Sequence, residues 1–187
     1  MDMELHDDAM ARGLIRYCPI CDGYEVTDKK VAVIGSGERG AAETRFLRGY
    51  TADLTLVSPD LPHDLDDEAL SELAEMGVVL IDGPIEAIEP GDETIALVTA
   101  SGRHDFASVY PALGSDTHTQ LAEMVGASLA GDACVKVDSH QRTSVAGIYA
   151  AGDLVLGLDQ ISHAMGEGGV AATTIRNDLA KQTPLLR

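Results

Sequence analysis

The feature that most constrains the fold is a short β-branched run that ends in a glycine-rich turn before a helix-forming stretch. Residues 31–34 read Val-Ala-Val-Ile, and residues 35–40 read Gly-Ser-Gly-Glu-Arg-Gly. In such a context the first glycine makes a tight turn, the second lets backbone N–H groups reach a diphosphate, and the third lets helix and strand lie close. We predict that Gly35, Gly37 and Gly40 bind a dinucleotide. The alternative is an ordinary strand–helix turn with chance glycines.

The pattern that follows predicts an α/β fold with a Rossmann-like parallel sheet in residues 1–112. Short strands alternate with helices, and parallel strands need long crossovers that are usually helical. We predict helices over about 41–48 and 66–76 and strands over 31–34, 53–57, 78–81, 93–99 and 106–110.

Beyond Pro111 the pattern changes, and we predict a second domain over residues 113–187. A short helix is expected at 121–124, strands at 134–137 and 147–151, and a final helix over about 163–179. That last helix is rich in Gly and Ala, which allows its backbone to approach another group closely.

Charge predicts which nucleotide binds. A ribose diol prefers a carboxylate about 20 residues after the glycines, whereas a 2′-phosphate needs Arg or Lys near the end of the second strand. Asp60 lies at that position, and no Lys or Arg occurs between Gly49 and Gly102. We therefore predict Asp60 as a binding residue and NAD(H) over NADP(H).

A second motif is Cys18-Pro19-Ile20-Cys21. Two cysteines three positions apart can close a small ring, and a nearby positive field lowers the thiolate pKa and speeds exchange. Tetrahedral zinc takes four ligands, and Cys134 has no histidine at a matching short spacing, so we predict no metal residues. A zinc ion shared by two chains and a pair of unreactive buried thiols are the alternatives. Cys134 is predicted to be a core residue.

Composition excludes several partners. The formal net charge of -18 disfavours nucleic acid and anionic membranes, because both would repel this surface. No run approaches the ~20 apolar residues of a membrane span, and residues 1–10 do not read as a secretion signal. We expect a cytoplasmic protein without a membrane partner.

Three motifs in order resemble the low-molecular-weight thioredoxin reductases, which are FAD/NAD(P)-dependent pyridine nucleotide-disulfide oxidoreductases. Residues 18–23 (CPICDG) and 31–40 (VAVIGSGERG) are similar to the active disulfide and the nicotinamide-dinucleotide motif. Residues 143–153 (TSVAGIYAAGD), followed by Gln160-Ile161 and the glycine-rich helix, are similar to the second FAD motif of the family. The resemblance covers nearly the whole chain.

The resemblance implies an electron path from NAD(P)H through FAD to the disulfide, and on to a thioredoxin-like protein or a small disulfide. By position, Cys21 would face the flavin, Cys18 would attack the substrate, and Asp22 would protonate a thiol. Of the FAD motif, Gly152 and Asp153 would lie at the ribityl chain, with Asp153 holding it. The backbone around Gln160 and Ile161 would contact the pyrimidine edge.

The sequence also departs from the family. The first FAD-binding βαβ unit and the arginine-rich signature for a 2′-phosphate are absent. We therefore expect weakened FAD binding and an apolar face after Pro111 that needs another cover, such as self-association, a separate polypeptide or a rearrangement. A homo-oligomer is predicted.

Two other functions fit the same motifs. One is a non-enzymatic NAD(H)-binding module whose CxxC senses redox state or shares zinc across a dimer. The other is a flavin-dependent dithiol oxidase that acts on a small molecule and passes electrons to oxygen. Flavin absorbance and oxygen consumption distinguish the three.

Overall fold

The computed structural model describes residues 3–130 and 133–183. The chain divides into two compact units, one up to Gly114 and one from Ser115 onward. The sequence predicted a boundary after residue 112, two residues earlier. Each unit has its own apolar core.

Short strands and helices alternate through most of the first unit. Its strands are β1 (Val31–Ile34), β2 (Leu54–Val57), β3 (Val79–Ile81), β4 (Ile85–Pro90), β5 (Ile95–Thr99), β6 (Gly102–Phe106) and β7 (Ser108–Pro111). Its helices are α1 (Met3–Ala11), α2 (Pro19–Asp22), α3 (Gly37–Leu47) and α4 (Asp67–Glu75), with a 3₁₀ turn at Gly23–Val26.

Four strands form the predicted parallel sheet, in the order β3-β2-β1-β7. The chain leaves β1 toward β2 on one side and returns to β7 on the other. The carboxyl ends of β1 and β7 therefore border the crevice where the winding of the sheet reverses, which is where α/β sheets bind ligands.

Both faces of this sheet are covered, which explains why β1 and β2 are buried along their whole length. Helices α3 and α4 pack on one face through Ala41, Leu47 and Leu73. The other face meets α1 and β4–β6, and its core includes Ala9 and Phe106. The α/β class and the parallel sheet are as predicted.

The prediction that residues 93–99 join the parallel sheet was wrong. Strand β5 instead lies between β4 and β6 in a separate antiparallel sheet. Only residues 100–101 separate β5 from β6, which is a hairpin connection, whereas a parallel pairing needs a crossover of about a dozen residues. The buried apolar run of β5 reads like a parallel strand because the sheet buries it completely.

The second unit contains α5 (Gln120–Met124) and α6 (Ile161–Gln182). The strands predicted at 134–137 and 147–151 are reduced to isolated bridges, such as Leu129 with Val135 and Arg142 with Tyr149. Positive φ angles at Gln141 and Gly147 bend the chain there, so that pairing stops after one residue. These two strand predictions were therefore wrong.

The C-terminal half of α6 is fixed by one arginine. The Arg142 guanidinium donates to both carboxylate oxygens of Asp178, at 2.7 and 3.0 Å, and the Tyr149 hydroxyl donates to the same carboxylate at 3.0 Å. The Arg142 hydrogen bonds hold the pKa of Asp178 well below its usual range.

Among the described residues, no helix combines the length and apolarity needed to cross a bilayer.

The second unit leaves a large apolar surface exposed. Along α6 only Ala171 and Thr174 are buried. A Cβ built on Gly166, Gly168 or Gly169 would meet no atom of the described residues within 4 Å. The exposed apolar side chains are Leu121, Met124, Val125, Leu156, Leu158, Ile161, Met165, Val170, Ile175 and Leu179. We call this set the α6 surface.

Candidate functional site

The glycine turn is packed so tightly that two of its glycines cannot be replaced without movement. A Cβ on Gly40 would lie 2.9 Å from the backbone carbon of Gly35, and one on Gly35 would lie 3.1 Å from Cα of Gly40. Gly37 has φ +59°, in the left-handed region that glycine adopts without strain. Gly35 and Gly40 therefore let helix α3 lie close to β1, and Gly37 allows the turn between them, while the binding of a dinucleotide by these glycines stays a prediction.

The same turn leaves backbone donors open. Helix α3 begins at Gly37, and no side chain caps it at Ser36. The first N–H groups of a helix have no intrahelical partner and carry a partial positive charge. These donors follow β1 directly, at the crevice between β1 and β7, so the turn fits a diphosphate group.

Asp60 follows the end of β2 by three residues and is exposed. Its backbone lies against Gly83, where a Cβ would come within 2.9 Å of the Asp60 nitrogen. The loop is thus fixed while the carboxylate remains available, as a ribose-binding acid requires. Sequence reasoning missed His63 in this loop, whose Nε2 lies 3.1 Å from the Ile81 carbonyl oxygen and whose Nδ1 is buried without a partner.

The two cysteines of the CxxC motif form a disulfide, with Sγ atoms 2.02 Å apart and Cα atoms 5.2 Å apart. Cys18 caps α2, and the Cys21 N–H donates to the Cys18 carbonyl at 2.9 Å. Cys18 is half-buried and Cys21 is exposed. The disulfide is therefore at the surface of the first unit, where an exchange partner can reach it.

Asp22 is tied to the core of the sheet. The hydroxyl of the buried Tyr110 on β7 donates to its Oδ1 at 2.8 Å, and the Arg16 guanidinium pairs with its Oδ2 at 3.1 Å. Burial and the Asp22 carboxylate both raise the pKa of Tyr110 above its ordinary value. Arg16 also pairs with Glu25 at 2.8 Å.

These contacts anchor the disulfide segment to β7, a role that the sequence did not reveal. Tyr110 is 88 residues from Asp22, and no local pattern links them.

The residues of the second unit that were predicted to bind FAD lie in two segments, 152–153 and 160–161. Gly152 has φ +80°, and its N–H donates to the Glu167 carboxylate at 2.7 Å, so this amide is engaged within the unit. Asp153 is exposed. Gln160 precedes α6, and its N–H donates to the Leu158 carbonyl oxygen at 2.7 Å. Ile161 is 82% exposed, and the N–H groups of the first turn from Ile161 onward have no intrahelical partner. The carboxylate and these donors fit polar groups of a flavin nucleotide.

Cys134 is half-buried and outside the disulfide. Within residues 3–130 and 133–183, no group of three or more His, Cys, Asp or Glu side chains could hold a metal ion.

Residues 3–168 match the model of the pyridine nucleotide-disulphide oxidoreductase family. The chain belongs to this family. The resemblance predicted from the motifs is therefore confirmed for a partial chain. Members of this family are enzymes that depend on FAD and NAD(P).

Individual relatives agree with this assignment. An alkyl hydroperoxide reductase component from Xanthomonas campestris pv. phaseoli is 31% identical over 89% of this chain and 33% of its own length. Thioredoxin reductase from Mycoplasmopsis pulmonis is 26% identical over 94% of this chain and 59% of its own length. The structure of thioredoxin reductase from Streptococcus pyogenes superposes with a TM-score of 0.79 at 24% identity, over 91% of this chain and 58% of that one.

The chain thus spans about one third to three fifths of the length of these relatives. It is similar to the thioredoxin-reductase-like oxidoreductases over nearly all of its own length. The activities of these full-length relatives are therefore considered for this chain only as a proposal.

Proposed function

We propose that this chain is the dinucleotide-binding and disulfide-bearing part of a thioredoxin-reductase-like flavoprotein oxidoreductase. The observation that carries the proposal is the Cys18–Cys21 disulfide, which lies at the surface of the same compact unit as the glycine turn. A separate polypeptide or a longer native gene would supply the first FAD-binding segment. We propose that residues 1–187 by themselves bind FAD weakly, because they span only part of the length of the relatives they match.

Within this proposal, residues 1–112 bind the nicotinamide dinucleotide through Gly35, Gly37 and Gly40. Residues 113–187 contribute the second half of an FAD site. Asp153 would bind the ribityl chain, next to Gly152 in the same turn. The backbone around Gln160 and Ile161 would bind the pyrimidine edge. The N–H of Gln160 donates to the Leu158 carbonyl oxygen at 2.7 Å, so the N–H groups from Ile161 onward would be the donors.

When bound, FAD would supply a two-electron relay between the dinucleotide and the disulfide. Reduction of the disulfide takes two electrons and two protons and breaks the bond between Cys18 and Cys21. The Cys18 thiolate then attacks a substrate disulfide and forms a mixed disulfide, and the first substrate thiolate leaves. The Cys21 thiolate displaces the second substrate thiolate and restores the original bond. Asp22 would provide or accept the proton at these thiols.

The substrate would be a thioredoxin-like protein or a small disulfide. In the oxidised chain by itself, Cys21 is exposed and Cys18 is half-buried. The net charge of -18 disfavours nucleic acid or a membrane as a partner, and we propose a cytoplasmic location.

The α6 surface supports the proposal that the chain associates with another polypeptide. Ile161, Met165 and Leu179 are 82%, 73% and 52% exposed. Burial of exposed apolar surface is favourable by about 25 cal/mol per Å² removed from water. We propose that a second copy, or an FAD-binding segment supplied by a separate polypeptide or a longer native gene, covers them.

The absorption spectrum tests the proposed function. Titration of the purified chain with FAD is expected to shift the visible flavin absorption spectrum, measured at equilibrium because the binding is weak. In the FAD-saturated chain that absorbance should bleach with NADH under anaerobic conditions while two thiols appear per chain. Absence of any spectral shift with FAD would instead favour the non-enzymatic NAD(H)-binding module. Flavin-dependent oxygen consumption with a dithiol would favour the dithiol oxidase.

The charge around Asp60 leads to a prediction for the electron donor. We expect NADH to bind at least about fivefold more tightly than NADPH, because no Lys or Arg between residues 49 and 102 can pair with a 2′-phosphate. Calorimetric titration of both nucleotides measures the ratio. Asp60→Asn should reduce it, since the amide no longer repels a phosphate. A wild-type preference for NADPH would contradict the argument.

A further inference from the structure

Arg39 stands out among the arginines of the first unit. The chain contains 31 acidic and 13 basic residues, so carboxylates that could pair with an arginine outnumber the arginines. Yet no hydrogen bond or ion pair engages the Arg39 guanidinium within the described residues. The other five are engaged: Arg12 by Asp8, Arg16 by Asp22 and Glu25, Arg45 by Glu38 and Glu72, Arg48 by the Met76 carbonyl, and Arg103 by Glu89 and Asp105.

The unpaired charge of Arg39 lies next to the glycine turn. Arg39 is exposed in the first turn of α3, directly after Gly37 and Glu38 of the glycine turn. A Cβ built on Gly114 would lie 3.4 Å from the guanidinium carbon of Arg39. Gly114 follows the end of β7 by three residues, so the guanidinium lies on the β7 side of β1, at the crevice between the two strands.

Neither acidic side chain of α3 forms an ion pair with Arg39, since Glu38 pairs with Arg45 instead. Glu43 lies one turn further along the helix, and burial raises its pKa while the charge of Arg39 acts in the opposite direction. No ion pair joins the two, and Oε1 of Glu43 is buried without a hydrogen-bond partner. Within the described residues the guanidinium therefore has no carboxylate partner on α3, and it lies beside Gly114.

We propose that the Arg39 guanidinium binds the diphosphate of the dinucleotide, an inference that rests on the proposed function. A chain with a net charge of -18 repels a diphosphate, and the helix N–H groups offset this with only about half a positive charge. A guanidinium adds a full charge and can form two parallel hydrogen bonds with phosphate oxygens. Because the guanidinium lies against Gly114, which follows β7, we expect it to bind the diphosphate rather than a 2′-phosphate.

Binding measurements on the full chain test this assignment. Calorimetric affinities for NADH, NADPH, ADP and adenosine would be compared in wild type, Arg39→Ser, Arg39→Lys and Arg48→Ser. Arg48 is a matched control, since it carries the same charge at the other end of α3, about 14 Å along the helix axis and beyond the Debye length of about 8 Å. Thermal melting would establish that each variant is folded.

We expect Arg39→Ser to weaken NADH, NADPH and ADP by similar factors of about tenfold and to leave adenosine unchanged. Arg39→Lys should recover part of the loss, and Arg48→Ser should behave as wild type. If Arg39→Ser matched Arg48→Ser, or weakened NADPH much more than NADH, the assignment to the diphosphate would be overturned. If wild type bound none of the three phosphorylated ligands, the proposed function itself would fail and this inference with it.

Discussion

Cys21→Ser is expected to convert a transient mixed disulfide on Cys18 into a lasting one, about a thousandfold longer-lived than in wild type. In wild type the resolving thiol belongs to the same short segment, with Cα atoms 5.2 Å apart in the oxidised form. Its effective concentration is at least on the order of millimolar. In the variant only an external thiol can attack, either Cys18 of another chain or the glutathione released with the adduct, and at a protein concentration of about 1 μM each is roughly a thousandfold scarcer.

The measurement needs no cofactor. Chains reduced with dithiothreitol and desalted would be mixed with oxidised glutathione, and mass spectrometry would follow the glutathionylated form over time. All variants would carry Cys134→Ser, so that the third cysteine does not contribute. Cys18→Ser is the paired control, since it leaves Cys21 as the only thiol. Equal decay of the adduct in Cys21→Ser and in the chain with both cysteines would show that the pair does not exchange.

Gly40→Val is expected to lower dinucleotide affinity about a hundredfold. A Cβ at this position would lie 2.9 Å from the backbone carbon of Gly35 and 3.2 Å from a methyl carbon of Leu56. Helix α3 must therefore move away from β1, which misaligns the N–H groups of its first turn. Two charge-assisted hydrogen bonds at about 1.5 kcal/mol each amount to about 3 kcal/mol, or roughly a hundredfold in Kd. Overpacking should also lower the free energy of unfolding by about 1–3 kcal/mol.

Calorimetry with NADH and urea unfolding of the same samples separate the two effects of Gly40→Val. Gly49→Ala is the control, because it also replaces a glycine beside α3, but its Cβ meets only the Phe46 carbonyl oxygen, at the ordinary distance of 3.4 Å. We expect this control to bind NADH as wild type does. Unchanged affinity in a folded Gly40→Val chain would contradict the role of the glycine turn.

Much of the first unit could be predicted from local patterns. The run at 31–34 and the glycines after it predict strand, turn and helix, because the steric requirements lie within ten consecutive residues. The helix at 67–75 agrees with the one predicted over about 66–76, and the structure shows the Asp66 carboxylate accepting from the Ala69 N–H at its start. The CxxC spacing likewise predicted a pair that can close into a ring.

Other features depend on contacts between distant segments. The apolar run at 95–99 has the composition of a parallel strand, and only its hairpin with β6 places it in the antiparallel sheet. The structure of the second unit differed most from the sequence-based prediction, because single bridges replace the strands predicted there. Local apolar composition indicates burial in both cases but does not select a pairing partner.

The sequence by itself determined the class of the fold, the glycine turn, the redox pair and the membership of the family, since each depends on residue types at short, fixed spacings. Only the tertiary structure decided that Tyr110 and Arg16 hold Asp22 and that Arg39 lies beside Gly114. The physical reason is that a β-strand or a helix start can be specified by its own residues. Which side of the sheet a long side chain reaches is fixed only when distant strands pair and pack.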